Sequence, residues 1–244
     1  MSCRKGIAPL PLVVKQRAKK LFKSAINVYF VSNRNQASAE ATIREKITSA
    51  FIINNPIKLK LDELEWPNFD TFNIACVARI NFKIKRQDIM INVFAQEKWR
   101  NRNITVNFYG EGPDTSNLQM LIKNQTFEDQ VTMHGQTEDI RHVGEYNHVL
   151  ILPFVAEGLP LALIVANLLG RAAITTNVGD NERLVLQNET GFLINDLSSK
   201  ALDNTLEEAW NKRYCWEQLS SRARIHALQN LDINIHKSLL SQLN

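Results

Sequence analysis

Short apolar runs alternate with helical segments through most of the chain. From residue 72 onward, strands are predicted at 72–78, 104–109, 130–134, 148–152, 172–176 and 191–194. Helices are predicted between them, at 86–98, 114–123, 138–145, 159–169 and 180–187. Because strands that alternate with helices form βαβ units, the pattern predicts an α/β domain with a doubly wound parallel sheet over residues 71–225.

The residues before this domain contain fewer elements. The pattern predicts a basic helix at 12–24, strands at 25–32 and 50–53, and a helix at 36–49. So few elements cannot close a core of their own, so we expect residues 1–56 to be an incomplete portion of a domain. Residues 57–70 are predicted to be a linker.

After residue 198 the chain is predicted to be wholly helical. The helices are expected at 198–211, 214–229 and 233–243, and residues 226–244 are assigned to a carboxy-terminal helix.

The stretch from Val149 to Gly170 organises the rest of the chain. The apolar run Val149–Leu152 predicts a buried strand, Glu157-Gly158 a turn, and Pro160 the first turn of a helix. That helix is apolar on every face, which predicts that it is buried. A strand, a glycine turn and a helix together present free backbone N–H groups, where an anionic ligand can bind.

Composition narrows the class of protein. Of the 244 residues, 44% are hydrophobic and 22% charged, as is usual for a globular protein. Cys3, Cys76 and Cys215 are scattered, which indicates a reducing compartment rather than a disulfide framework or zinc site. No apolar segment reaches the ~20 residues of a membrane span, and the sequence predicts a cytoplasmic protein.

The net charge of +4 is unevenly distributed. No acidic residue precedes Glu40, whereas the first 39 residues contain Arg4, Lys5, Lys15, Arg17, Lys19, Lys20, Lys23 and Arg34. One interpretation is a solvated basic face; the other is a surface drawn to the inner, anionic face of a membrane. Nucleic acid is not expected, because no aromatic residues interleave with these charges.

Cationic side chains follow the first strand of the predicted domain. Arg79 ends that strand, and Lys83, Lys85 and Arg86 come within seven residues of it. At the carboxyl end of a parallel strand, such cations can neutralise a diphosphate without a metal. The alternative is a solvated basic loop.

Glycines follow the next two strands. Gly110-Glu111-Gly112-Pro113 lacks the third glycine of a dinucleotide fingerprint, and a tight turn explains it as well as a ligand does. His134-Gly135 likewise fits either a turn or a ligand contact, because one histidine beside a glycine is not diagnostic.

No serine or cysteine has the setting of a nucleophile elbow, and the histidines lack metal-ligand spacing. Acyl transfer, metal-dependent hydrolysis and a metal cofactor are therefore not expected.

Taken together and in order, these segments resemble the nucleotide-sugar-binding half of family 4 glycosyltransferases, the retaining enzymes of the GT-B fold. The similar motifs are Val77-Ala78-Arg79, Lys85-Arg86-Gln87-Asp88, Gly110-Glu111-Gly112-Pro113, His134-Gly135, Leu152-Pro153, Glu157–Leu163, Thr176-Asn177-Val178-Gly179 and Thr190–Leu193. They cover roughly residues 70 to 200. The resemblance implies that residues 1–56 are a remnant of the amino-terminal acceptor domain, and that the last helix crosses back to it.

The resemblance also implies roles for single residues. Arg79 and Lys85 would hold the donor's diphosphate in place of a metal, and Glu157 would bind the hydroxyls of the transferred sugar. The phosphate would meet the backbone at Gly158, Leu159, Pro160 and Leu161, with Gly110 and Gly112 close by. His134 and Gly135 would lie against the nucleotide base.

The chain departs from the family pattern at three positions. The second glutamate of the family, which binds the ribose, corresponds to Val165, and the glycine that follows the motif's lysine corresponds to Arg86. The family also has a glutamate after the turn at Gly179. Here Glu182 lies one residue early, and Arg183 occupies the position of that glutamate.

Three hypotheses remain open at this stage. The first is hexosyl transfer from a nucleoside diphosphate sugar to a glycan or lipid-linked acceptor, without a further cofactor. The second is a non-catalytic GT-B-like module, or a degenerate copy, which the valine at position 165 favours. The third is another nucleotide-sugar enzyme of the same fold, such as an epimerase.

Overall fold

The computed structural model of the chain describes residues 10–53, 55–57 and 62–233. The backbone divides into two compact units, Met1–Asn54 and Asn55–Asn244. All but the first residue of the helix predicted at 233–243 lie outside the described residues. None of the described helices is long and apolar enough to cross a membrane.

The described residues of the first unit, 10–53, form two helices and two short parallel strands. They are α1 (Leu12–Ser24), β1 (Val28–Phe30), α2 (Asn33–Ile43) and β2 (Ala50–Ile52). Helix α2 begins earlier than predicted because the Ser32 side chain accepts a hydrogen bond from Asn35 N at 3.0 Å and caps it. It also ends earlier, because Arg44 adopts a left-handed conformation with φ of 57°.

The second unit is built on a six-stranded sheet. Its strands are β3 (Phe72–Val77), β4 (Ile104–Tyr109), β5 (Val131–Gly135), β6 (Val149–Leu152), β7 (Ala173–Thr176) and β8 (Gly191–Ile194). They lie in the order β5-β4-β3-β6-β7-β8, and every pair is parallel. The predicted doubly wound parallel sheet is therefore confirmed.

The strand order reverses between β3 and β6. The chain builds outward from β3 through β4 to β5, and then returns to place β6 on the other side of β3. In open α/β sheets the crevice at such a reversal, outside the carboxyl ends of the strands, is where ligands bind.

Helices cover both faces of this sheet. They are α3 (Phe82–Lys85), α4 (Gln87–Phe94), α5 (Glu97–Arg100), α6 (Thr115–Asn124), α7 (Ile140–Tyr146), α8 (Leu161–Leu168), α9 (Ser199–Asn211) and α10 (Trp216–Asn230). Side chains alternate along each strand, so Ile74 and Cys76 join the apolar layer that includes α4 and α9. Ala75 joins the opposite layer, which includes α8.

Two predicted helices are wrong in their extent. The single helix expected at 86–98 is instead α4 and α5, which are separated because Gln96 is extended (ψ 144°). The left-handed Arg86 (φ 58°) separates α4 from the preceding α3. Of the helix expected at 180–187, only a 3₁₀ turn at Asn181–Arg183 forms. The Thr190 hydroxyl bonds with Leu186 N at 2.7 Å and Leu184 O at 3.0 Å, and these bonds replace helical ones.

The prediction that the helix after Glu157 is buried on every face is also wrong in one respect. Leu163, Ile164 and Leu168 are fully buried, but Leu161, in the first turn of α8, is 45% exposed. This turn lies at the carboxyl edge of the sheet, where the site described below is found.

Candidate functional site

The loop after β3 carries Arg79 at the carboxyl edge of the sheet. Fully buried Gln87 fixes its backbone: Gln87 Nε2 donates to Arg79 O at 3.1 Å, and Asn81 N donates to Gln87 Oε1 at 3.3 Å. The Arg79 side chain is exposed, and within residues 10–53, 55–57 and 62–233 its guanidinium has no hydrogen bond or ion pair. The loop is therefore ordered while its cation is available to a ligand.

Gly110 and Gly112 follow β4 and lie directly against this loop. A Cβ at Gly110 would stand 2.1 Å from Ala78 O, and one at Gly112 would stand 2.1 Å from Ile80 O. Gly110 also has a φ of 136°, which L side chains rarely adopt. The two glycines are therefore required by close backbone contact with the Arg79 loop, and not by a tight turn alone.

His134 and Gly135 end β5, beside Gly110. Gly110 N donates to Gly135 O at 2.6 Å. The His134 ring stacks on Tyr109 with centroids 4.3 Å apart, and its Nε2 lies 2.9 Å from Asn107 Oδ1. Burial, with a smaller contribution from His142, lowers the pKa of His134.

A cleft of about 660 Å³ opens at these loops. Its lining includes Arg79, Tyr109, Gly110 and Gly112, and it is called the Arg79 cleft below. Its size is that of a small-molecule site. Lys85, Glu157 and His134 are not part of its lining.

Lys85 and Glu157 form an ion pair across the switch point. Lys85 ends α3, after β3, and Glu157 follows β6, so residues 72 positions apart meet because β3 and β6 are neighbours. The Lys85 Nζ bonds with Glu157 Oε2 and lies 3.7 Å from the centroid of the Phe154 ring. The two side chains are 17% and 30% exposed, so the pair is partly open to a ligand.

The loop that carries Glu157 is held by the loop after β7. Asp180 N donates to Gly158 O at 2.8 Å, and Thr176 Oγ1 donates to Phe154 O at 2.6 Å. A Cβ at Gly179 would stand 1.9 Å from Gly158 O, and Gly179 has a φ of 57°. Only glycine fits there, and this contact fixes the position of Glu157.

Helix α8 begins directly after this loop. Pro160 precedes it, and Ile164 N donates to Pro160 O at 3.1 Å. The N–H groups of Leu161 and the next two residues come too early in the helix to have an intrahelical acceptor. Leu159 is buried and Leu161 is exposed, so this first turn presents backbone donors to an anion.

Val165, on the second turn of α8, faces the protein interior. It is 3% exposed and packs in an apolar cluster with Leu64 and Leu169, and Ile57 lies against the same cluster. Its assignment to the ribose stays a prediction.

The structure thus forms two groups from the predicted residues. Lys85 lies with Glu157, and Arg79 lies with Gly110 and Gly112 in the neighbouring cleft. Phe154, whose ring lies against the Lys85 ammonium, was not among the predicted site residues. Its position almost directly after the buried strand β6 could have marked it as a candidate. The motif Lys85-Arg86-Gln87-Asp88 assigns no role to Gln87, whereas its side-chain amide holds the Arg79 backbone.

Comparison with known proteins identifies a family. The family model described as "Glycosyl transferases group 1" matches residues 71–212. The chain is 24% identical over 160 residues to EpsD of Bacillus subtilis (strain 168), an alignment that covers 66% of this chain and 42% of EpsD. It is 24% identical over 172 residues to the UDP-N-acetylglucosamine–peptide N-acetylglucosaminyltransferase GtfA subunit of Streptococcus pneumoniae, covering 70% of this chain and 33% of that protein.

The fold is similar to that of a solved structure from Anabaena. HepE, in complex with UDP and glucose, superposes with a TM-score of 0.80 at 17% identity, over 94% of this chain and 67% of HepE. This likeness concerns the fold. The chain spans less than half the length of either sequence relative named above.

Proposed function

This chain belongs to the glycosyl transferases group 1 family, and from that membership we propose that it binds a nucleoside diphosphate sugar at the carboxyl edge of its sheet and transfers the hexosyl group to an acceptor. The observation that carries the proposal is the Lys85–Glu157 pair at the switch point, with the exposed side chain of Arg79 in the neighbouring cleft.

In this reaction the bond between the anomeric carbon and the diphosphate oxygen breaks, and a bond from that carbon to an acceptor oxygen forms. The acceptor hydroxyl gives its proton to the departing diphosphate oxygen, on which negative charge builds as its bond to the anomeric carbon breaks. Arg79 and Lys85 stabilise that charge without a metal, because cations aimed at a leaving phosphate act most strongly in a partly desolvated site. The anomeric configuration is retained.

Glu157 has two partners in this proposal. Without a donor it neutralises Lys85, and when the diphosphate takes Lys85, the freed carboxylate binds the hydroxyls of the transferred sugar. The N–H groups at the start of α8 and the backbone at Gly158 meet the phosphate. Gly110, Gly112, His134 and Gly135 lie towards the nucleoside, and Val165 stands where the family's ribose-binding glutamate would be.

We further propose that residues 1–56 are part of the acceptor domain of a family 4 enzyme with the GT-B fold, and that the acceptor is a glycan or lipid-linked sugar. The named activity of the GtfA subunit and the UDP and glucose bound to HepE support a nucleotide sugar as donor. The protein would then work in polysaccharide synthesis in the cytoplasm, with the basic residues of α1 near an anionic membrane surface.

Calorimetric titration with UDP, GDP and ADP tests donor binding. We expect one of the three to bind, and Arg79→Ala and Lys85→Ala each to weaken it roughly 10- to 150-fold, the effect of losing a hydrogen bond to a charged group. Lys83→Ala is the matched control, because Lys83 is an exposed cation on the same helix α3. If Lys83→Ala weakens binding as much as Lys85→Ala does, the assignment of Lys85 is refuted.

A non-catalytic module is the second candidate, and the packing of Val165 favours it. The family's carboxylate is replaced by a side chain in an apolar cluster, which offers no hydrogen bond to a ribose. Absence of binding by all three nucleotides to the intact, folded protein would support the module and contradict the enzyme.

A further inference from the structure

A larger cleft, of about 870 Å³, opens at the amino edge of the same sheet. Phe72 begins β3, and Asn103 and His148 directly precede β4 and β6; all three line this cleft, called the amino-edge cleft below. Strand β3 has six residues and therefore separates the two edges by about 17 Å. A ligand in the amino-edge cleft would not contact Arg79 or Glu157.

Aromatic rings form much of the wall of this cleft. Phe69 is 45% exposed and Tyr214 is 82% exposed. Phe69 stacks on Tyr146 with centroids 5.9 Å apart. Arg213 lies 4.6 Å from the centroid of Trp210 and 4.2 Å from that of Tyr214. Phe69 and Tyr214 are therefore exposed at the cleft while each is in contact with a neighbouring side chain.

Hydrogen-bonding side chains lie between these rings. Glu65, Asn68, Asp70 and Glu217 line the cleft, and none of these four side chains has a hydrogen bond or ion pair to any other residue that the structure describes. Arg213, by contrast, already donates to Trp210 O at 3.1 Å and to the Tyr214 hydroxyl at 2.5 Å. Polar groups are thus available beside exposed aromatic faces.

The charge of the cleft decides between classes of ligand. It carries three carboxylates, those of Glu65, Asp70 and Glu217, and one guanidinium, that of Arg213. The net charge is negative, which disfavours phosphates and nucleic acid. A ligand with apolar faces and many uncharged hydroxyl or amide groups fits both the rings and the acceptors.

We propose that the amino-edge cleft binds a neutral oligosaccharide. The C–H faces of pyranose rings pack on Phe69 and Tyr214, and the sugar hydroxyls bond with Asn68, Asp70 and Glu217. Binding here does not depend on the donor site at the carboxyl edge. If the chain is a transferase, the cleft holds a distant part of the glycan and raises its local concentration near the enzyme.

Calorimetric titration with chitotetraose and with maltotetraose tests this site. We expect at least one to bind to the intact chain, and Tyr214→Ala and Phe69→Ala each to weaken it about three- to tenfold, as expected for the loss of one aromatic contact. Met120→Ala is the matched control, because Met120 is an exposed apolar side chain, 59% exposed, on α6. Arg79→Ala should leave the affinity unchanged.

Three results would overturn the proposal. The first is that neither oligosaccharide binds to the folded protein at millimolar concentration. The second is that both aromatic variants bind as well as the unaltered chain. The third is that Arg79→Ala abolishes binding, which would assign the oligosaccharide to the donor site. Because Arg79→Ala separates the two edges, failure here leaves the nucleotide titration above as an independent test of the proposed function.

Discussion

Replacing Glu157 by glutamine should tighten the binding of a bare nucleotide and weaken the binding of its hexose conjugate relative to it. Glutamine keeps the size of the side chain and removes its charge. If a diphosphate binds Lys85, it must first break the Lys85–Glu157 ion pair, and it then remains close to the carboxylate. In Glu157→Gln both costs disappear, so the bare nucleotide should bind more tightly.

The magnitude follows from the burial of the pair. Exposed ion pairs are worth up to about 1 kcal/mol, and the side chains here are only 17% and 30% exposed, so about 1 kcal/mol is a reasonable estimate. This corresponds to roughly fivefold tighter binding of the nucleoside diphosphate. The hexose conjugate should lose affinity relative to the bare nucleotide, because its hydroxyls lose a charged acceptor.

The assay is calorimetric titration of the unaltered chain and of Glu157→Gln. Each is titrated with the nucleotide that binds best among UDP, GDP and ADP, and with the hexose conjugate of that nucleotide. Glu128→Gln is the matched control, because Glu128 is exposed and begins the 3₁₀ turn Glu128–Gln130 that leads into the amino end of β5. Weaker or unchanged binding of the bare nucleotide by Glu157→Gln would refute the idea that this carboxylate competes with the diphosphate for Lys85.

Two further predictions concern stability. Burial lowers the pKa of His148 to about 4, whereas an unfolded histidine titrates near 6.5. As the pH falls below about 6.5, the unfolded chain therefore binds a proton at this position before the folded chain does. The free energy of unfolding should be highest above about pH 6.5 and should decrease by up to about 3 kcal/mol as the pH falls toward 4. Denaturant unfolding of the unaltered chain and of His148→Gln at several pH values checks this; equal pH dependence of the two would contradict it. Arg86→Gly should stabilise the protein by roughly 0.5–1 kcal/mol, because Arg86 has a φ of 58° and the left-handed conformation costs a non-glycine residue about 1–2 kcal/mol, partly offset by glycine's entropy. A lower midpoint of denaturant unfolding for Arg86→Gly would contradict that reasoning.

The sequence was sufficient to predict the sheet of the second unit. Alternation of apolar runs and helices gave the strands of the second unit to within a residue or two, since buried parallel strands are nearly continuous apolar segments. The sequence also places cations directly after β3 and an acidic turn directly after β6, and the carboxyl ends of parallel strands share one edge of a sheet. Lys85 and Glu157 are in contact there.

What the sequence did not reveal depends on contacts between distant segments. The left-handed Arg86 interrupts a helix that its neighbours favour, and the Thr190 hydroxyl replaces the helical bonds expected after Asn181. The close approach of Gly179 to Gly158 and the contact of Lys85 with Phe154 arise from tertiary packing. None of these leaves a periodic signal along the chain.

Glycine amide spectra offer the most direct test of where a nucleotide binds. The chain has nine glycines, so selective ¹⁵N-glycine labelling gives a sparse ¹H–¹⁵N spectrum. Gly110, Gly112 and Gly158 lie at the carboxyl edge of the sheet. Gly191 begins β8 at the amino edge, and Gly170 lies three residues before the amino end of β7. Titration with the best-binding nucleoside diphosphate should shift the first three resonances and leave Gly170 and Gly191 unchanged; shifts at Gly170 and Gly191 alone would contradict the account.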